Sequence, residues 1–272
     1  MLGLRPSDDR AHVARLRRFV AGLFVFLLGA SGAARAEWSA SLEYQRFKWT
    51  EPSVGVTETG PLWGFGLGWS DEKPSGWTLA WRGKYYFGTM DYDGATLVGG
   101  QPVKGSVDYD GLYNEIQASY PLENSRRLRG MLGLGFDYWN RQLTQMQREE
   151  WYVYFLRAGL EWGNRLHEGW FLGGGVKYPF YVVQDPHARS IGFDQDVKLH
   201  PDGQWSLYAD VGYRLRGNVT VSAFYDSYRF DQSPAVNVSG QTCQASFGTP
   251  NCRLLQPASN ADMYGVRLTL HF

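Results

Sequence analysis

Six segments of this chain alternate apolar and polar residues with a period of two. Such a pattern gives each segment one apolar face only if the backbone is extended. In residues 264–272, Tyr264, Val266, Leu268, Leu270 and Phe272 share one face, and Gly265, Arg267, Thr269 and His271 share the other. In residues 205–216, Trp205, Leu207, Ala209, Val211, Tyr213 and Leu215 oppose Ser206, Asp210, Gly212 and Arg214. Residues 38–44, 132–138, 152–162 and 170–180 repeat the pattern. Soluble sheets also alternate, but their apolar faces are seldom bounded by aromatic rings at both ends. Here Trp38, Trp69, Trp77, Trp162, Trp170 and Phe272 would form one ring, and Tyr138, Tyr152, Trp205 and Tyr264 would contribute to another.

The connections carry a second rhythm. Short ones fall near residues 71–76, 123–127, 164–168 and 217–218. Long ones fall near 50–61, 91–106, 140–148, 184–202 and 231–262. Strict alternation of tight turns and long loops predicts an all-β, antiparallel, up-and-down transmembrane barrel of about ten strands, with both termini on the side of the turns. Eight or twelve strands remain compatible with the same reading. The alternating segment with Phe272 resembles the C-terminal signal of bacterial outer-membrane proteins, which the barrel-assembly machinery reads through residues in the places of Tyr264, Val266, Leu268, Leu270 and Phe272.

Export is written at the other end. Arg10, Arg15, Arg17 and Arg18 precede an apolar run over residues 19–28, followed by Ala34-Arg35-Ala36. Basic, then apolar, then Ala-x-Ala predicts a secretory signal over residues 1–36, cut after Ala36, with the barrel over 37–272. The run is short for a spanning helix, and no later segment is apolar enough for one. Together these place the expected barrel in the outer membrane of a Gram-negative bacterium. Removing the signal leaves 21 basic and 25 acidic residues, a balance that excludes nucleic acid as a partner. Cys243 and Cys252 lie in a stretch rich in Ser, Gly, Pro and Asn. In an exported chain they read as one local disulfide closing a loop, with two free thiols as the alternative.

Inward positions of the expected strands carry charges of both signs: Glu43, Arg82, Lys84, Glu115, Asp137, Arg157, Glu161, Lys177, Asp210, Arg214 and Arg267. In a ten-stranded tube they predict mutual pairing and a plugged lumen rather than a pore. Function then belongs to the outer loops. Asp194, Asp196 and His200 fit no specific metal pattern and read as solvated loop residues; neither a metal nor another cofactor is expected. Two motifs have suggestive spacing, Asp91-Tyr92-Asp93 and Asp185-Pro186-His187. Alternate residues of an extended chain point the same way, so each motif offers two side chains to one cleft. His187, oriented by Asp185, would act as general base on a water held by Asp91 and Asp93.

This layout resembles the omptins, ten-stranded outer-membrane endopeptidases. The resemblance rests on topology over the mature chain and on four residues in chemistry. It implies catalytic roles for Asp91, Asp93, Asp185 and His187. Three expectations follow: a surface scaffold that binds an extracellular peptide or protein, with lipopolysaccharide as a bound lipid at outer basic residues; an omptin-like endopeptidase; and, least favoured, a narrow pore.

Overall fold

The computed structural model describes residues 35–95, 100–163, 165–216 and 218–272. The expected signal falls outside these, but for its last two residues. Thirteen strands follow in order: β1 (Arg35–Glu51), β2 (Val56–Glu72), β3 (Thr78–Ala95), β4 (Pro102–Pro121), β5 (Leu128–Gln142), β6 (Arg148–Trp162), β7 (Gly169–Asp185), β8 (Gly203–Gln204), β9 (Ser206–Leu215), β10 (Val219–Phe230), β11 (Val236–Ser239), β12 (Asn251–Leu254) and β13 (Ser259–His271). Ten of them, all but β8, β11 and β12, pair antiparallel with both neighbours, and β13 joins β10 to β1 to close a barrel. At that closure Leu42 lies opposite Leu268 and Glu43 opposite Arg267. Closure gives each of the ten a partner strand on both sides.

The alternation sorts side chains as the sequence predicts. Leu42, Tyr44, Phe65, Leu67, Leu132, Leu134, Leu156, Leu160, Leu172, Val221, Val266 and Leu268 are large apolar residues exposed on the outside. A continuous apolar belt of this kind is what a bilayer covers; on a barrel in water it would be an open aggregation surface. Aromatic pairs mark its borders. Trp77 packs on Tyr120 and Trp170 on Tyr213 near the turns, and Tyr138 packs on Tyr152 and Tyr178 on Trp205 towards the loops.

Two of the five expected long loops, 50–61 and 91–106, are mostly strand. β3 and β4 run 18 and 20 residues, although roughly 9–11 suffice to cross a bilayer. The extra length continues the barrel beyond the apolar belt. There, polar outward residues such as Asp91 and Asp108 alternate with buried inward ones such as Met90 and Tyr109. Polarity on one face reads as loop in a sequence; the buried face keeps the segment in the sheet.

The lumen is filled in layers. Nearest the turns, Arg214 pairs with Glu37 at 2.9 Å, while Arg165 pairs with Glu161 and Asp210. In the middle, Glu43 takes Lys84 at 2.9 Å and Arg267 at 2.5 Å. Arg157 bridges Glu115 and Asp226, each at 3.1 Å, and Asp226 also holds Lys177 at 2.5 Å. Asp137 accepts hydrogen bonds from Tyr86 and Tyr228, both at 2.9 Å. The charges of these residues are paired in a site where an unpaired charge would cost several kcal/mol or more. Above them comes an apolar stopper of Trp49, Leu62, Met90, Tyr109, Trp139, Trp151, Phe155, Tyr228 and Phe230. Trp139 and Trp151 stack with centroids 5.5 Å apart, and Trp49 meets Trp151 edge-on at 5.1 Å. Glycines make room for the rings. A Cβ on Gly135 would come within 2.1 Å of Phe155, and one on Gly111 within 2.4 Å of Tyr86.

Candidate functional site

The loop end of the barrel carries the two features best placed for function: a buried ionic knot on top of the stopper, and a folded cap above it.

The knot centres on Arg141, 3 % exposed, at the inward end of β5. Its guanidinium makes a two-nitrogen contact with Glu58 and donates to Glu149 at 2.7 Å; Glu51 stands 3.7 Å away. Tyr109 donates to Glu58, Gln184 to Glu149 at 3.1 Å, and Trp49 and Gln256 to Glu51 at 2.9 and 3.0 Å. Three carboxylates thus surround one cation. Glu51 ends β1, beyond the outward Arg46 and Lys48, and so stands above the apolar belt. Burial pushes its carboxyl above the ordinary range, against the pull of Arg141 and with a further push from Glu149.

The cap is built from residues 186–202 and 231–258. The first segment leaves β7 through His187, in left-handed backbone, into a short 3-10 turn, Ala188–Ile191, which ends at Gly192 (φ 92°). The second folds as a hairpin of β11 and β12 around helix α1 (Gln241–Phe247), and a disulfide joins Cys243 to Cys252 with Cα atoms 5.4 Å apart. The two segments hold each other. Asp194 N donates to Ser239 O at 2.9 Å, Ser239 Oγ returns to Asp194 Oδ2 at 2.7 Å, and Phe193 bridges Gly240. Ala188, Phe193, Val238 and Cys243 form a small apolar core with Ile191 and Leu254 against it. Gln184 and Leu199 exchange two backbone bonds, and Gln256 reaches Glu51, so the cap is tied to the barrel wall and to the knot. Asp196 and His200 are used inside this architecture. Asp196 accepts from Arg189 N at 2.9 Å, and His200 Nδ1 lies 3.2 Å from Val182 O.

The structure does not bring the four expected catalytic residues together. Asp91 and Asp93 lie on the outward face of β3, opposite Thr59 and Thr57 of β2, while the inward neighbours are Met90 and Tyr92. Asp93 pairs with the exposed Lys104 at 3.1 Å. Asp185 lies four strands away around the barrel, beside the outward Glu150. Its Oδ1 accepts from the backbone N of His187 at 3.0 Å, and His187 Nε2 is 3.8 Å from Glu150. The period-two spacing does put Asp91 and Asp93 on one face, but it is the outer one. The motif fixes that the two side chains agree; the phase of the strand decides where they point. The Arg141 knot was missed for a related reason. The alternation Gly133, Gly135, Asp137, Trp139, Arg141 runs into residues 140–148, which the sequence reads as loop.

No family model matches the chain, and no curated protein matches it. Several solved structures are similar to it. Outer membrane protease OmpT from Escherichia coli aligns over 89 % of this chain and 99 % of its own, with TM-score 0.48 and 10 % identity. The transport unit of the autotransporter AIDA-I from Escherichia coli aligns over 91 % and 94 %, with TM-score 0.46 and 11 % identity. The translocator domain of autotransporter NalP from Neisseria meningitidis aligns over 98 % of each chain, with TM-score 0.41 and 12 % identity. At this level a likeness concerns the barrel and carries nothing about activity.

Proposed function

We propose that this chain is a non-conducting barrel of a Gram-negative outer membrane that serves as a surface scaffold, presenting its disulfide-closed cap to an extracellular peptide or protein. The observation that carries the reading is the stopper. Among the described residues Trp49, Leu62, Met90, Trp151, Val153 and Phe155 are fully buried, which supports a lumen closed to water and a rigid base for the cap. Arg46 and Lys48, outward and exposed above the apolar belt, suit the phosphates of lipopolysaccharide. Outward Tyr264, Val266, Leu268, Leu270 and Phe272 on and beside β13 suit recognition by the barrel-assembly machinery. The separation of Asp91 and Asp93 from His187 weighs against a protease.

The test is a mixed peptide library applied to the refolded barrel with lipopolysaccharide present. The scaffold reading expects uncut peptides to be retained, and retention to fall when Cys243 and Cys252 are both changed to Ser. Cleavage that disappears in His187→Ala would overturn it in favour of an endopeptidase.

A further inference from the structure

Below the stopper, the turn-side half of the lumen keeps a cavity of about 230 Å³. Its wall has an uneven hydrogen-bond balance. Gln45 is 2 % exposed, and Lys84 Nζ lies 3.4 Å from its Oε1. Because lysine can only donate, this fixes the amide with Oε1 towards Lys84 and leaves Nε2 without a partner. Arg157, 8 % exposed, spends its two terminal nitrogens on Glu115 and Asp226 and leaves Nε unpaired. Arg82 Nε is unpaired as well; this guanidinium lies 3.6 Å from Glu115, so it stands beside that of Arg157. Nearer the turns, Arg129 is 1 % exposed. It is locked by Gly76 O at 2.9 Å and Thr78 Oγ1 at 2.6 Å, and its Nη1 has no hydrogen-bond partner, with the Glu72 carboxylate 3.9 Å away. All four residues line the cavity. The carboxylates around them are already engaged: Glu43 by Lys84 and Arg267, Glu115 by Tyr113 and Arg157, Asp226 by Lys177 and Arg157.

We propose that this cavity binds a compact oxyanion, a phosphate or small carboxylate, between Gln45, Arg82 and Arg157, with Arg129 at the mouth facing the turns. Buried nitrogen donors without acceptors each cost free energy, and an oxyanion offers several acceptors and a charge that suits two guanidinium groups. Residues close to the turns, Ser119, Arg165 and His271, also line the space, so the ligand arrives from the turn side, which is the periplasm under the reading above. The stopper prevents its passage to the loop end. The site is therefore a receptor pocket and not a channel.

Isothermal titration of the refolded barrel, in detergent and buffer free of phosphate and carboxylate, tests this with inorganic phosphate and with succinate; chloride is the control. One saturable site per barrel for either oxyanion is expected, and the better binder identifies the source. Gln45→Leu should weaken binding at least about tenfold. Ser222→Phe, which fills the cavity from an inward position on β10, should abolish it. Both variants are first checked for the gel-mobility shift between heated and unheated barrel. Flat titrations with both oxyanions on the folded native barrel, or native affinity in both folded variants, would overturn the proposal.

Discussion

Arg141 shows what one inward residue does in this barrel. Among the described residues it is the sole cation paired with Glu51, Glu58 and Glu149, so Arg141→Met would leave three buried carboxylates unbalanced. Breaking a buried pair from one side costs about 3–5 kcal/mol. That loss is the expected drop in unfolding free energy, read by tryptophan fluorescence in urea with the barrel in lipid vesicles. Glu51 gives the opposite case. Its folded carboxyl titrates above its ordinary value of 4.5 because of burial, so the folded state binds the proton more tightly than the unfolded state does. The stability this contributes is present below the ordinary carboxylate range and is lost as pH rises through the raised value. Glu51→Gln keeps an acceptor for Trp49 and Gln256 but carries no charge. It should flatten this part of the stability profile and leave the variant more stable than the native chain at pH 8. An unchanged profile would show that Glu51 does not titrate in that window.

At the scale of elements, the cap behaves as a folded unit tied on by few contacts. Its apolar core is small, and the disulfide closes its hairpin. A cross-link of this loop size stabilises by about 2–4 kcal/mol, and that stabilisation belongs to the cap. Replacing Cys243 and Cys252 by Ser should speed limited proteolysis between residues 231 and 258 several-fold, while the ten barrel strands keep their resistance. Equal loss in both regions would mean that the cap and barrel unfold together. The strands themselves were legible in the sequence wherever the outward residues are apolar, as in β5, β6 and β13. Their extensions were not. Glu58, Asp91 and Asp93 look like loop chemistry until the buried residues between them are counted with them. The cap was legible only as a long connection holding two cysteines, because the bonds that fold it join residues such as Asp194 and Ser239 that no local pattern relates. The candidate site was least legible of all. Its residues come from β1, β2, β5 and β6, and only closure of the barrel gathers them.

For the whole molecule, the alternation divides two solvents: lipid outside the belt and packed ionic and aromatic layers within. Leu134 is 54 % exposed on the belt. Leu134→Arg should cost about 2–4 kcal/mol if that position lies near the middle of a bilayer, measured by urea titration in vesicles; a neutral result would place the belt elsewhere. Under the proposed reading the belt encloses a sealed tube, which ion current through planar bilayers tests most directly. The native barrel should give no steps at any applied voltage. A barrel with Trp49, Trp139 and Trp151 all changed to Ala should conduct, because the stopper is then hollowed. Stepwise current from the native barrel would contradict a sealed lumen.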